Sequence, residues 1–449
     1  MNNTASTPRI AIIGAGITGL TAAAQLAVAG KKCILVESAE KVGGLCQTYE
    51  MDGIKFDLGP HLFFYNPHSA ADRYILDVLK DEKIVSNRFR FAIHAKGRYW
   101  RMPADIMDIL LHYPLNYKWQ IIRAMIGKGK GITANRDSVR AMIEERLGPD
   151  YYADVFGPFT HKKTLVSPDQ LHRDWSIRVE RDVHNRKIVT SGYEKTITLR
   201  DKLRATFDPR YFYPLKGIES IAIGIWDRYK DAGGETILQC GPITFEKDGA
   251  RITRIIVKGQ PIPVTHVVWT PSINALNRVL GVSEHAIQYI DLMIVMMTFN
   301  RNHAVRRPFA YTYHTDEQLI FNRLYYPDNL YQQQRLANKE GLCVEINISP
   351  ELKTASDREI VDRVLNGIES LGLYRKKDLR EFRVVRLEEA MPVYELNYEA
   401  ERERVFKAVH DHSNLYAIGR RGGYLFCLTP AAVRQGLQMA DELMNQGND

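Results

Sequence analysis

The chain is poor in cysteine. Its 449 residues hold five, Cys33, Cys46, Cys240, Cys343 and Cys427. Their number is odd, their spacing is wide and none forms a Cys-x-x-Cys pair, which excludes a disulfide framework and the usual zinc sites and favours a reducing compartment. Long apolar runs are also missing. The longest covers residues 292–299 and is far too short to span a bilayer. Residues 1–8 lack the apolar core of a secretion signal. There are no repeats, no low-complexity stretches and no Lys/Arg block interleaved with aromatics of the kind that binds nucleic acid. No Ser-His-Asp arrangement, metal-ligand pattern or paired carboxylates stand out. These absences predict a cytoplasmic location, no metal, no nucleic-acid partner and no membrane association. The amphipathic stretch 103–130, with Arg123, Lys128 and Lys130 near its end, reads as a helix of the globular body.

What is present is the composition of a globular enzyme, 45% hydrophobic and 25% charged. Lys plus Arg number 61 against 53 Asp plus Glu, a formal charge of +8, which suits anionic small molecules. Residues 9–20 read Arg-Ile-Ala-Ile-Ile-Gly-Ala-Gly-Ile-Thr-Gly-Leu, an apolar strand, a G-x-G-x-x-G turn at Gly14, Gly16 and Gly19, and the start of an Ala-rich helix. Eighteen residues after Gly19, Glu37 ends a second apolar run. In such a unit Gly14 makes the tight turn, Gly16 lets the backbone approach a pyrophosphate and Gly19 lets helix pack on strand. The helix N-terminus faces the phosphates and Glu37 accepts from ribose hydroxyls. The spacing predicts a dinucleotide site.

Six residues after Glu37 comes Gly43-Gly44, and residues 59–63 read Gly-Pro-His-Leu-Phe. Glu37 followed by Gly43-Gly44 resembles the extended fingerprint of FAD-binding proteins that include amine oxidases, protoporphyrinogen oxidases, phytoene desaturases and UDP-galactopyranose mutases. The resemblance implies FAD as cofactor, with Gly43 and Gly44 near its diphosphate. Near the C-terminus, Gly419-Arg-Arg-Gly-Gly-Tyr-Leu-Phe426 resembles the G-R-x-G-x-Y-x-Y segment of the mutases. Amine oxidases and protoporphyrinogen oxidases usually carry Gly-Glu or Gly-Asp at the position of Gly419-Arg420. The resemblance places Gly419 and Arg420 against the flavin and Tyr424 towards a substrate diphosphate. It departs at Phe426, which lacks the second hydroxyl, and at Leu428, where an acid often follows. His61 matches the His of the mutase G-x-H-x-F, which approaches the isoalloxazine.

Further segments are similar to the same family. Phe156-Gly-Pro-Phe-Thr-His-Lys-Lys163 resembles an aromatic and basic stretch that contacts the nucleotide. Arg204 and Arg323 fall where the mutases place two diphosphate-binding arginines, and Tyr394 falls in the tyrosine-bearing loop before the last strand. The resemblance implies His61, Arg420 and Tyr424 as the catalytic set, and Arg204, Arg323, Tyr394, Tyr424 and Phe426 as substrate-binding residues.

The implied fold class is α/β: a Rossmann-like FAD-binding domain of the GR2 flavoprotein type, interleaved with a mixed α+β substrate domain. The pattern divides the chain into a discontinuous FAD domain (1–75, 213–285 and 395–449) and a substrate domain (76–212 and 286–394). The polar stretch 182–210 reads as a loop. Two functions follow from the resemblance. One is a nucleotide-sugar mutase that contracts a pyranose to a furanose through reduced flavin with no net redox change. The other is an FAD-dependent oxidoreductase of the amine oxidase, protoporphyrinogen oxidase or desaturase type. The expected partners are a nucleotide sugar or other small-molecule substrate, with NAD(P)H a candidate reductant and a homo-oligomer a candidate assembly.

Overall fold

The computed structural model describes residues 9–446, apart from 63–65, 67–68, 89, 103–108, 110, 126–136, 178–179, 182–183, 185–187, 190–209, 283–285, 302–307 and 332–334. The segments 126–136 and 190–209, and Arg204 with them, therefore lie outside the described residues.

Strand β1 (Arg9–Ile13), helix α1 (Ile17–Val28) and strand β2 (Cys33–Val36) form a parallel βαβ unit, in register from Ile10 opposite Cys33 to Ile13 opposite Val36. Glu235–Ile237 joins in parallel beside β2, Gln260–Trp269 joins in parallel beside β1, and Leu415–Ala417 pairs in parallel with the end of that long strand. All four residues of β2 are buried, as expected of a strand covered on both faces. Small side chains explain how α1 packs so closely. Ten of its twelve residues are buried. A Cβ on Gly436 of the last helix, Thr429–Asn445, would lie 2.6 Å from the Thr18 carbonyl oxygen, so only glycine permits that approach.

A second, mixed sheet orders its strands as Leu379–Pro392, Tyr289–Asn300, Lys339–Asn347, Arg323–Tyr325, Tyr311–His314, Phe91–Ala95 and Arg98–Met102. The longest apolar run of the sequence lies here. Residues 293–299 are all buried in the strand that sits between Lys339–Asn347 and Leu379–Pro392. The hairpin Phe91–Ala95/Arg98–Met102 turns through Lys96 (φ 52°) and Gly97 (φ 73°), the paired left-handed conformations of a tight two-residue turn.

The hairpin β3 (Thr48–Met51) and β4 (Ile54–Asp57) ties the two sheets together. Ile54 and Phe56 share one apolar cluster with Tyr213, Ile294, Met296, Tyr325 and Cys343. At its end Asp57 is fully buried. Its Oδ1 accepts from Thr48 Oγ1 at 2.5 Å and the Ile218 amide at 3.3 Å, and its Oδ2 accepts from Tyr331 Oη at 2.5 Å and from Tyr213 Oη. The Asp57 amide donates to Tyr325 Oη at 2.7 Å, and that hydroxyl donates to the Asp57 carbonyl at 3.0 Å. Burial raises the Asp57 pKa and the hydrogen bonds oppose it.

Asp57→Ala leaves three hydroxyls and an amide without their acceptor. It is expected to lower stability by about 3–5 kcal/mol, whereas Tyr213→Phe removes one donor and costs about 1.5–3 kcal/mol. Denaturant unfolding followed by circular dichroism measures both. Equal, small losses in the two variants would show that Asp57 does not join these segments.

Candidate functional site

The glycine turn has the sterics that its sequence implies. Gly14 has φ +94°, and a Cβ there would lie 2.3 Å from Thr270 Oγ1. A Cβ on Gly19 would lie 2.0 Å from the Gly14 carbonyl oxygen, so this glycine lets α1 close on the turn. Gly16 differs from both. A Cβ there meets nothing within 4 Å, so it would project into open space at the start of α1. No side chain caps that helix and its first turn holds no acid, which leaves the N-terminal amides and dipole available to an anion. Gly43 bridges to Gly16, the Gly43 amide donates to the Ala15 carbonyl at 2.8 Å, and a Cβ on Gly44 would lie 3.2 Å from Gly16 Cα. Glu37 is half-buried beside them. Its Oε2 accepts from the Ala15 amide at 2.6 Å and its Oε1 from the Ala39 amide at 2.8 Å.

The C-terminal segment closes on the same helix. Gly419 opens a short turn, Gly419–Gly422, with φ +85°. A Cβ on it would lie 3.2 Å from Thr18 Oγ1 of α1, and its amide donates to Gln435 Oε1 at 2.7 Å. Arg420 then stands 5.2 Å from the Phe426 ring. His61 leaves the end of β4, with a ring Nε2–Leu58 carbonyl contact of 3.1 Å. Burial and then the Arg420 charge push its pKa down to about 4, so the imidazole is neutral at physiological pH. Burial pushes the Cys46 thiol up to about 12, against the nearby Arg420 charge, which leaves it inert as a nucleophile.

Arg323 reaches this region from the second sheet. A Cβ on Gly59 would lie 3.3 Å from Arg323 Nη2 and 3.4 Å from Glu345 Oε2. Arg323 Nη2 donates to Glu345 Oε2, and Nη1 donates to Tyr313 Oη at 3.2 Å. The structure thus brings together Gly14, Gly16, Gly19, Glu37, Gly43 and Gly44 in one cradle, and His61, Arg420 and Arg323 beside it.

Three residues expected to face a substrate turn inward instead. Tyr424 has 1% exposure, and its single hydroxyl proton is shared between the Val393 carbonyl and, at 2.8 Å, the Gln288 carbonyl. Tyr394, with 1% exposure, donates to the Tyr424 carbonyl at 3.1 Å and accepts from the Phe426 amide at 2.8 Å. Phe426 stacks on Trp175 with ring centroids 5.1 Å apart. These contacts fix the shape of the loop behind Arg420. The left-handed backbone of Tyr424, φ +50°, turns its side chain towards the core.

Sequence reasoning singled out neither Glu345 nor Tyr313. Glu345 is the one charge within the apolar run 342–346, Leu-Cys-Val-Glu-Ile, and a lone acid in a buried strand is the signal that could have found it. Lys163, at the end of the quoted aromatic and basic stretch, donates to Tyr313 Oη at 3.0 Å. Beside that helix, Phe156, Phe159, Thr160 and Trp175 line an apolar cavity of about 230 Å³.

A model of an NAD(P)-binding Rossmann-like domain matches residues 12–77. The human all-trans-retinol 13,14-reductase is 37% identical over 75 residues, 17% of this chain and 12% of that protein. An L-amino-acid oxidase of Notechis scutatus scutatus is 28% identical over 181 residues, 38% of this chain and 33% of that protein. The chain thus covers a third or less of the length of these curated relatives. Among solved structures, reduced UDP-galactopyranose mutase matches with a TM-score of 0.77 at 16% identity, over 99% of this chain and 95% of that one. A candidate protoporphyrinogen oxidase from Exiguobacterium sp. 255-15 matches with 0.73 at 18% identity, over 98% and 99%. Cyclohexylamine oxidase from Brevibacterium oxydans IH-35A matches with 0.62 at 15% identity, over 97% and 99%. Among the described residues no helix is long and apolar enough to cross a membrane, and no cluster of His, Cys, Asp and Glu could hold a metal. With its glycine cradle at the head of a parallel sheet and a mixed second sheet carrying Arg323 alongside, the chain shares the fold of these flavoenzyme structures.

Proposed function

We propose that the chain binds FAD and acts as a flavin-dependent oxidoreductase on a small molecule. The fit to the cofactor rests on the open side of Gly16, the uncapped start of α1 and Glu37 beside it. The amides of that helix start would hold the diphosphate, and Glu37 would exchange a backbone partner for ribose hydroxyls. Neutral His61 and cationic Arg420 would line the flavin edge, His61 as a hydrogen-bonding group with no charge of its own. When bound, FAD supplies two-electron chemistry that no side chain here can provide.

One observation carries the choice of oxidoreductase. Arg323, the cation that a diphosphate clamp requires, is ion-paired with Glu345, and both side chains are largely buried at 17% and 10% exposure. Breaking a buried pair to free Arg323 leaves Glu345 uncompensated, at about 3–5 kcal/mol. The inward-turned hydroxyls of Tyr394 and Tyr424 support the same reading. So do the names of the relatives, a reductase and an oxidase, and that of a 4,4'-diapophytoene desaturase (4,4'-diaponeurosporene-forming) of Staphylococcus haemolyticus (strain JCSC1435), 49% identical over 51 residues, 11% of this chain and 10% of that protein. A second reading, a mutase-like ring contraction of a nucleotide sugar, is favoured by a different observation. Arg420 is set against His61, and Lys163 and Arg323 outnumber Glu345 in the adjoining cluster.

Two outcomes test the proposal. Gly16→Val places a side chain only in open space, so the protein should fold with unchanged circular dichroism and lose its flavin. Stoichiometric FAD in that variant would remove the cradle as the cofactor site. For the reaction, the oxidised holoprotein is mixed without oxygen with a panel of amines, L-amino acids and polyenes. In parallel, the dithionite-reduced protein is mixed with UDP-, GDP- and dTDP-sugars. Bleaching of the flavin absorbance by a panel member, with one oxidised product per flavin, is the expected result. A ring-contracted sugar formed without consumption of reductant would replace this reading with the second.

A further inference from the structure

Behind Gly59, four side chains from four elements meet. Lys163 comes from helix Gly157–Thr164, Tyr313 from strand Tyr311–His314, Arg323 from Arg323–Tyr325 and Glu345 from Lys339–Asn347. Lys163 Nζ donates to Tyr313 Oη at 3.0 Å, and Arg323 Nη1 donates to the same oxygen at 3.2 Å. A phenol oxygen has two lone pairs, and two cationic donors occupy both. Among the described residues no acceptor takes the Tyr313 proton. With a neutral phenol, Lys163, Arg323 and Glu345 leave one net positive charge on a cluster where Tyr313 has 6% exposure and Glu345 8%. With a phenolate the cluster is neutral, and burying a balanced set is less costly than burying an unpaired charge.

The surroundings favour the same state. Facing strand Phe91–Ala95 presents Phe91, whose ring meets Tyr313 edge-on at 6.2 Å, and no charge. Tyr311 flanks it on its own strand, and neutral His61 lies beyond the Arg323–Glu345 pair. Burial alone would raise the Tyr313 pKa. The Lys163 and Arg323 charges outweigh it and bring the phenol down to about 8, with Glu345 opposing them. Burial lowers the Lys163 pKa, and the Tyr313 oxygen acts against that shift. The Tyr313 ring also meets Phe159, 4.7 Å away, on the helix that lines the apolar cavity, while Arg323 abuts Gly59 on the side of His61. The phenol thus stands between the cavity and the His61 turn.

We propose that Lys163 and Arg323 stabilise the phenolate of Tyr313 and that this phenolate is the proton-accepting group beside the cavity. It takes a proton from a hydroxyl or acidic C–H of the bound substrate. The new bond is Tyr313 Oη–H, the electron pair of the broken bond stays on the substrate, and the cluster passes from neutral to a single positive charge beside the anion it has created. The ionisation stands by itself; the role in turnover rests on the oxidoreductase reading.

The holoprotein is titrated from about pH 6 to pH 10 by near-ultraviolet tyrosinate absorbance. One of the 23 tyrosines should ionise with a midpoint near 8. Tyr313→Phe should abolish that step, Lys163→Met should move it up towards an ordinary phenol, and Lys163→Arg should keep it low. Circular dichroism and flavin content confirm that each variant is folded. Absence of a low-pH step, its survival in Tyr313→Phe, or no movement in Lys163→Met overturns the phenolate. With a substrate that bleaches the flavin, kcat/KM should rise with pH through the same midpoint. Tyr313→Phe should lose that limb and about 100- to 10,000-fold in rate. An unchanged limb overturns the proton-accepting role. Failure of the oxidoreductase reading itself would look different: no bleaching, with the tyrosinate step intact.

Discussion

A carboxylate taken wholly out of water is tolerated only where donors replace the solvent it has lost. Asp57 meets that condition with partners from widely separated parts of the chain: Thr48, Tyr213, Ile218 and Tyr331, with Tyr325 on its backbone. Among the described residues no cation pairs with it, so every donor is a neutral group held in place by packing. The geometry of the cleft follows from this one knot. Two residues on, Gly59 adopts φ +92° against the Arg323–Glu345 pair, and two further on His61 receives its place beside Arg420. The nucleotide sheet and the second sheet meet at this point. A shift of the β4 end would move His61 relative to Arg323, so the fold holds the site through a hydrogen-bonded core and not through a loop.

The parts of this arrangement that could be read from the sequence are those with local causes. Gly14 and Gly19 are required by contacts within the turn itself, and Gly16 by the absence of any contact, so their spacing carries the information. The same holds for Gly43 and Gly44, whose positive φ angles and close approaches, 2.7 Å to the Cys46 carbonyl oxygen and 3.2 Å to Gly16 Cα, leave no room for a Cβ on either of them. Asp57, Tyr313 and Glu345 were not legible in this way, because their partners lie far off in sequence. Thr48 and Tyr331, both bonded to Asp57, are separated by most of the chain. Tyr424 shows the opposite failure. Four residues after Arg420, its place in the motif suggested a role towards a substrate diphosphate, yet its left-handed backbone turns the side chain into the core.

The charges of the cleft act on its titratable groups in one consistent sense. Positive potential from Arg420 and Arg323 adds to burial in keeping His61 unprotonated. At Tyr313 the same kind of potential, from Lys163 and Arg323, opposes burial and lowers the pKa of the phenol to about 8. A base is thus held neutral and an acid is drawn towards its anion, because in each case the form with less positive charge is the one the cations favour. Two groups of very different ordinary pKa are brought towards the states in which they can act near neutral pH.

A fold shared by oxidases and a mutase leaves the reaction to the side chains that line the cleft. Here the decisive one is Glu345. Without it, Lys163 and Arg323 would form an open cationic pair suited to a diphosphate. With it, Arg323 is bound from one side by a carboxylate and from the other by the Tyr313 oxygen, and its remaining task is to fix that oxygen in place. A residue that reads from the sequence as a substrate clamp becomes, in the folded chain, part of an internal ion network. The charge of Arg323 is balanced inside the protein by Glu345, with an apolar cavity on the Phe159 side of the phenol and neutral His61 beyond the ion pair.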